Sequence, residues 1–232
     1  MKGLDDRRSA IYKQEVHGLL AAGGTTCQHD ERPLRDRGLL MTIIRTIPED
    51  EAEGEVAEFY ADDVDALGYV ASYTKAMAMN TAAFTAFQSL IRSVAKPLGL
   101  RRYELVTLAA ALGTNSQHCR LAHGIKSLRL FEEEQLEQIA RDYTEAGLSD
   151  AEVEMMRFAE QVGRDASAMT DTDSQRLREV GFSDQEIVDI AIAASVRVYF
   201  ASALQALGVE VDQPPMLAAP LREALLEGLD RA

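Results

Sequence analysis

The chain has no tryptophan, only six prolines and two cysteines among 232 residues, and 6% of it is aromatic. Two cysteines, Cys27 and Cys119, cannot build a disulfide framework, so the fold must rest on a core. The 47% hydrophobic content is enough at this length to bury one. Basic residues are scarce as well, with 24 Lys and Arg against 38 Asp and Glu, a formal net charge of −14. That field repels phosphate backbones and anionic lipid, which argues against nucleic acid and membrane as partners and for small molecules or proteins. No window approaches eighteen uninterrupted apolar residues, and Asp5, Asp6, Arg7 and Arg8 occupy the place where a signal peptide needs its apolar region. The expected location is the cytoplasm, a reducing compartment in which an isolated thiol survives.

Strand patterns are also missing. Residues 1 to 40, broken by Gly23-Gly24-Thr25-Thr26 and the charge-mixed run DERPLRDR, read as a loosely held extension. Residues 41 to 232 read as a single helical domain. Pro48 and its acidic neighbours lead into a first helix carrying Val56, Phe59 and Tyr60. Helical patterns follow over 67–79, 80–95 behind an Asn80 cap, 101–112, 116–129, 132–144, 149–163, 171–179, 183–207 and 217–229. Segments rich in Ala, Leu, Glu, Gln and Arg, punctuated by Gly99, Gly147, Gly181 and Gly208, make an all-α bundle.

Within that bundle GLRRYELVTLAAA from Gly99 matches GFSDQEIVDIAIA from Gly181 at a constant offset, pairing Glu104 with Glu186 and Ala109 with Ala191. The core reads as internally duplicated, and its apolar helices are expected to leave a face that a second subunit covers, making a homo-oligomer. At the same offset Ser116, Cys119 and His123 fall opposite Val198, Ala201 and Gln205. Only the first copy can therefore do thiol chemistry.

The stretch NSQHCRLAHG, residues 115 to 124, spaces Ser116, Cys119 and His123 three and four apart, which stacks side chains on one helical face. Gly113-Thr114-Asn115 reads as a break with Asn115 as N-cap, so that Cys119 falls within the first turn of a new helix, where free N–H groups and the macrodipole favour a thiolate. Taken singly, Cys119 reads better as a small core residue, His123 as a satisfied interior histidine and Glu104 as a surface carboxylate; it is the combination that points to chemistry. His118 points elsewhere on the helix, toward a rim or an interface. A zinc site from Cys119, His118, His123 and Cys27 lacks paired-cysteine spacing, so neither metal nor cofactor is expected.

Together, Glu104, Ser116, His118, Cys119 and His123 resemble the Glu-x11-Cys-x-His-Cys-x3-His signature of the alkylhydroperoxidase D-like, carboxymuconolactone decarboxylase superfamily. The resemblance runs over about residues 42 to 212 and is nearest to the branch of peroxidase-related enzymes, through EAEGEVAEFY, the Gly68-Tyr69 region, LRRYELVTLAAA and GFSDQEIVDIAIAAS through ALGVE. It implies an all-helical duplicated core that forms homo-oligomers, and an antioxidant mechanism in which glutamate and histidine relay a proton away from a reactive cysteine. It also implies that Cys119 attacks the peroxide and that the first motif cysteine resolves the sulfenic acid.

That first cysteine is Ser116 here, and a hydroxyl cannot form a disulfide. The surviving set still allows a one-cysteine peroxidase acting on hydrogen peroxide or small organic hydroperoxides, with His123 taking the Cys119 proton directly or through water and Glu104 orienting the imidazole. Ser116 would hydrogen-bond the thiolate or sulfenate. The reductant would be an external thiol or dithiol, a partner subunit, or Cys27 if the extension folds over the site. Two alternatives stay open: a redox-sensing or structural oligomer without turnover, and a cofactor-free lactone decarboxylase or isomerase using the same histidine and glutamate on a carbon acid.

Overall fold

The computed structural model describes residues 44–229. The extension expected over residues 1 to 40, and Cys27 with it, lies outside them. The chain is all-α, with no strand among the described residues. In order the helices are α1 (Gly54–Leu67), α2 (Ser72–Met77), α3 (Thr81–Leu98), α4 (Leu100–Gly113), α5 (Gln117–Ser127), α6 (Glu133–Asp142), α7 (Asp150–Asp165), α8 (Asp171–Glu179), α9 (Asp184–Ala206) and α10 (Ala219–Leu226).

Local chemistry sets these boundaries. Asn80 accepts the Ala83 N–H at 3.0 Å and opens α3, as its sequence position predicts. Ser149 with Glu152 and Ser183 with Glu186 form capping boxes that start α7 and α9. One expected helix differs: the pattern over 67–79 is split. Gly68, at φ 81°, ends α1 in a left-handed turn, and the chain restarts as α2 after Ala71. Asp212, from the far end of the domain, accepts both the Ser72 N–H (2.9 Å) and its hydroxyl (2.6 Å) at the start of α2.

The main core lies where α4 crosses α7. Gly113 and Gly163 face each other's helices there: a Cβ on Gly113 would meet Glu160 O at 2.1 Å, and one on Gly163 would meet Ala110 O at 2.5 Å. The sequence reads Gly113 as part of a break, whereas it is the last residue of α4 and brings two backbones into contact. Across this pair lies α9, whose length and composition would suffice to cross a membrane; here it packs against α3, α4 and α7 as a core helix. The two matched segments both follow a glycine at positive φ, Gly99 at 77° and Gly181 at 100°. They then diverge. The first stops at Gly113 and restarts as α5, while α9 runs unbroken through the matching positions.

Candidate active site

The interruption between α4 and α5 builds the site. Asn115 takes φ 54°, a left-handed conformation that asparagine tolerates better than most residues, and the Asn115 and Ser116 N–H groups donate back to Leu112 O (3.1 Å) and Ala111 O (2.9 Å). From α9, the Gln205 side-chain amide donates to the carbonyls of Thr114 (3.0 Å) and Asn115 (3.2 Å). Gln205 is the residue that the duplication sets opposite His123. The N-cap of α5 is Ser116 rather than Asn115, and its Oγ accepts the Cys119 N–H at 3.3 Å. Ser116 thus sits at the mouth of the helix instead of stacking on its face.

Cys119 is 2% exposed and lies in an apolar cluster with Met77, Phe84, Phe87, Phe200 and Leu204. One turn on, His123 is also buried, and both of its ring nitrogens are engaged. Nδ1 lies 2.6 Å from Glu104 Oε2, and Nε2 lies 3.0 Å from Arg197 Nη1. Glu104 comes from α4 and Arg197 from α9, so three helices converge on one imidazole. The expected pairing of Glu104 with His123 is present. Direct proton transfer from Cys119 to His123 is not set up, because neither ring nitrogen is left to receive it.

His118 points away from this group, as expected, and donates from Nε2 to Val209 O at 2.9 Å. It lines a cavity of about 20 Å³ with Tyr69, Tyr73, Leu121, Lys126 and Asp212. That volume has room for about one water molecule. Among the described residues no group of three or more His, Cys, Asp or Glu side chains could hold a metal ion.

No family model matches the sequence, and no curated protein matches it. Solved structures do. The chain is similar to the alkylhydroperoxidase AhpD core of an uncharacterized peroxidase-related protein from Ralstonia eutropha JMP134, with 22% identity over 81% of this chain and 97% of that one and a TM-score of 0.63. It is similar also to an uncharacterized peroxidase-related protein from Silicibacter sp. TM1040, with 22% identity over 76% and 95% of the two chains and a TM-score of 0.64. The chain has the AhpD-core fold.

On this AhpD core the electrostatics follow from burial. Burial pushes His123 down to about 4 against the pull of Glu104, and the charges of Lys126 and Arg197 push the same way. Burial pulls Glu104 up, but His123, Lys126 and Arg129 bring it below its ordinary value. A lowered Glu104 implies a cationic partner, whereas a lowered His123 implies a neutral one. Geometry decides for the neutral imidazole, since arginine only donates and its N–H at Nε2 requires a lone pair there. Burial also lowers His118, disfavouring its charged form, and raises the Tyr73 phenol, with the carboxylates of Asp63 and Asp212 adding to the rise.

Two buried arginines are absent from the sequence-based site. Arg197 is one; the signal for it was a lone charge in the apolar run IAIAASVRVYF. The other is Arg120, 1% exposed on the back of α5, which donates to the carbonyls of Leu225 (2.9 Å), Leu108 (3.5 Å) and Ala140 (2.6 Å). Leu225 and Ala140 lie near the C-terminal ends of α10 and α6, where the macrodipoles favour a cation.

Proposed function

We propose that the protein reduces hydrogen peroxide or a small organic hydroperoxide, with Cys119 as the attacking sulfur and a thiol from outside the fold as reductant. The supporting observation is the buried chain Glu104–His123–Arg197 one turn from Cys119. Burying ionisable groups costs several kcal/mol each, and apolar residues of similar volume would fill the same space more stably. Such groups mark a place where charge is used.

The Cys119 thiol releases its proton to water and the thiolate attacks one peroxide oxygen; an S–O bond forms, the O–O bond breaks, and the departing oxygen takes a proton from water to leave as water or alcohol. The sulfenic acid then reacts with one external thiol, releasing water and forming a mixed disulfide. A second thiol frees Cys119 and carries both electrons away as an external disulfide. Ser116 cannot enter this cycle, although its Oγ caps the turn that presents Cys119. The 2% exposure of Cys119 favours a small peroxide. A homo-oligomer fits the exposed Leu90 of α3 and Tyr199 of α9, 44% and 49% accessible.

The competing reading, a redox-silent relative, draws on the apolar cluster around Cys119. Peroxide consumption measured with an added dithiol separates the two. We expect turnover that Cys119→Ser abolishes, and one or more added oxygens on Cys119 by mass spectrometry when the dithiol is withheld. No turnover and an unmodified Cys119 would establish the redox-silent reading.

A further inference from the structure

The two buried arginines do different things. Arg120 gives its guanidinium to three backbone carbonyls on three helices, which is how an arginine holds a fold together. Arg197 is 3% exposed, yet it bonds no backbone group; its one hydrogen bond runs to His123 Nε2, and its Nε and Nη2 have no partner among the described residues. Its guanidinium carbon lies 5.3 Å from the Phe87 ring centre and 5.5 Å from that of Phe200, two rings of the Cys119 cluster. A cation against two aromatic faces is held in place without further hydrogen bonds.

We propose that Arg197 is a positioning residue that fixes His123 as the neutral Nδ1–H tautomer, so that the buried cation beside the Cys119 cluster is a guanidinium and not an imidazolium. Arginine can offer only protons, so the Nε2 lone pair must point at it and Nδ1 must hold the hydrogen that Glu104 receives. Glu104 then stays ionised, and Arg197 balances it through the imidazole. Proton uptake at Nε2 requires Arg197 to leave first. The groups that bear on His123 are Glu104 from α4, Lys126 from its own helix and Arg197 from α9, with the Tyr103 ring edge-on at 6.3 Å. Glu104 favours the charged imidazole; Lys126 and Arg197 oppose it.

This deepens the thiol-peroxidase reading, but its test reads the imidazole and not turnover, so either can fail alone. Full-length protein with 15N-labelled histidine would be followed by long-range proton–nitrogen correlation from pH 8 to pH 5, with His123→Gln assigning the resonance. We expect the Nδ1–H neutral pattern throughout. Arg197→Met keeps much of the length between the two rings while removing the donor and charge, and should raise the His123 titration by about one pH unit or more. Arg197→Lys, which restores a cationic donor, should bring it back down. An Nε2–H tautomer in the unmutated protein would overturn the proposal, as would an unshifted titration in folded Arg197→Met. Should that variant not fold, the tautomer of the unmutated protein decides alone.

Discussion

Lowering the pH from 8 to 5.5 should weaken this fold through His123, by an amount that the structure sets. Its ordinary value of 6.5 falls to about 4 on folding, because burial disfavours the charged ring. A depressed group contributes its full stability above the unfolded value and loses it as the pH falls from there toward the folded one. Linkage with these two values gives a loss of about 1.4 kcal/mol at pH 5.5 and about 2 kcal/mol at pH 5. Against a typical total of about 5–15 kcal/mol this is readily measured. Glu104 does not interfere, since its value is lowered and its contribution is lost only below the ordinary carboxylate range. His118 is lowered too, so its share appears in every variant and cancels in a comparison. The assay is urea unfolding followed by far-ultraviolet circular dichroism at fixed protein concentration, for the unmutated chain and for His123→Gln. The variant should be less stable at pH 8, yet lose about 1.4 kcal/mol less on acidification to pH 5.5. Equal losses in the two proteins would refute a buried neutral imidazole.

Ser116→Cys places a second thiol at the N-cap of α5, three residues before Cys119, and should form an intramolecular disulfide on peroxide treatment; a free dithiol by mass spectrometry would count against it. The same change gives up a serine cap, so the reduced variant should lose about 1 kcal/mol, visible as a lower urea midpoint. Gly113→Ala and Gly163→Ala each force a methyl onto the backbone of the facing helix, and should destabilise by about 1–3 kcal/mol or more in denaturant titration without altering charge. Arg120→Met should cost about 3 kcal/mol or more by removing a buried donor shared by three backbone carbonyls, and a melting temperature unchanged from that of the parent would show that those bonds are not needed.

Helix existence was legible along the chain because caps and apolar periodicity are local. Asn80 announces α3 by itself, and the two Ser-Asp-x-Glu openings announce α7 and α9. The split between α1 and α2 was less visible, since Tyr69, Val70 and Ala71 continue an apolar pattern and only the left-handed turn at Gly68 ends the helix. Glu104 and His123 could be paired because their motif resembles the Glu-x11-Cys-x-His-Cys-x3-His signature. What spacing could not supply was the third helix: Arg197 lies 74 residues from His123, and the residue types alone do not say which polar group meets an imidazole in the core. The same limit hid Gly113, whose role depends on a backbone about fifty residues downstream, and placed the cap on Asn115 when Ser116 carries it. Burial of Cys119 was not legible either, because its neighbours Phe84, Phe87 and Phe200 arrive from two other helices.

Arg120 carries a consequence for the order in which the molecule is completed. Its Nε reaches the carbonyl of Leu225, 105 residues later, and Gly124 on the same helix leaves room for the Leu225 side chain: a Cβ there would lie 2.3 Å from Leu225 Cδ1. During synthesis the helix that bears Cys119 is therefore made roughly 100 residues before Leu225, with a charged side chain that has no complete set of acceptors until α10 leaves the ribosome. Until then this face of α5 must stay wet. The cysteine's own surroundings depend on Phe200 and Leu204, which also come late. A nascent chain in which Phe200 and Leu204 have not yet been made would thus expose Cys119 to oxidants without the enclosure that the folded domain gives it, so the C-terminal half of α9 serves as the closure of the thiol site.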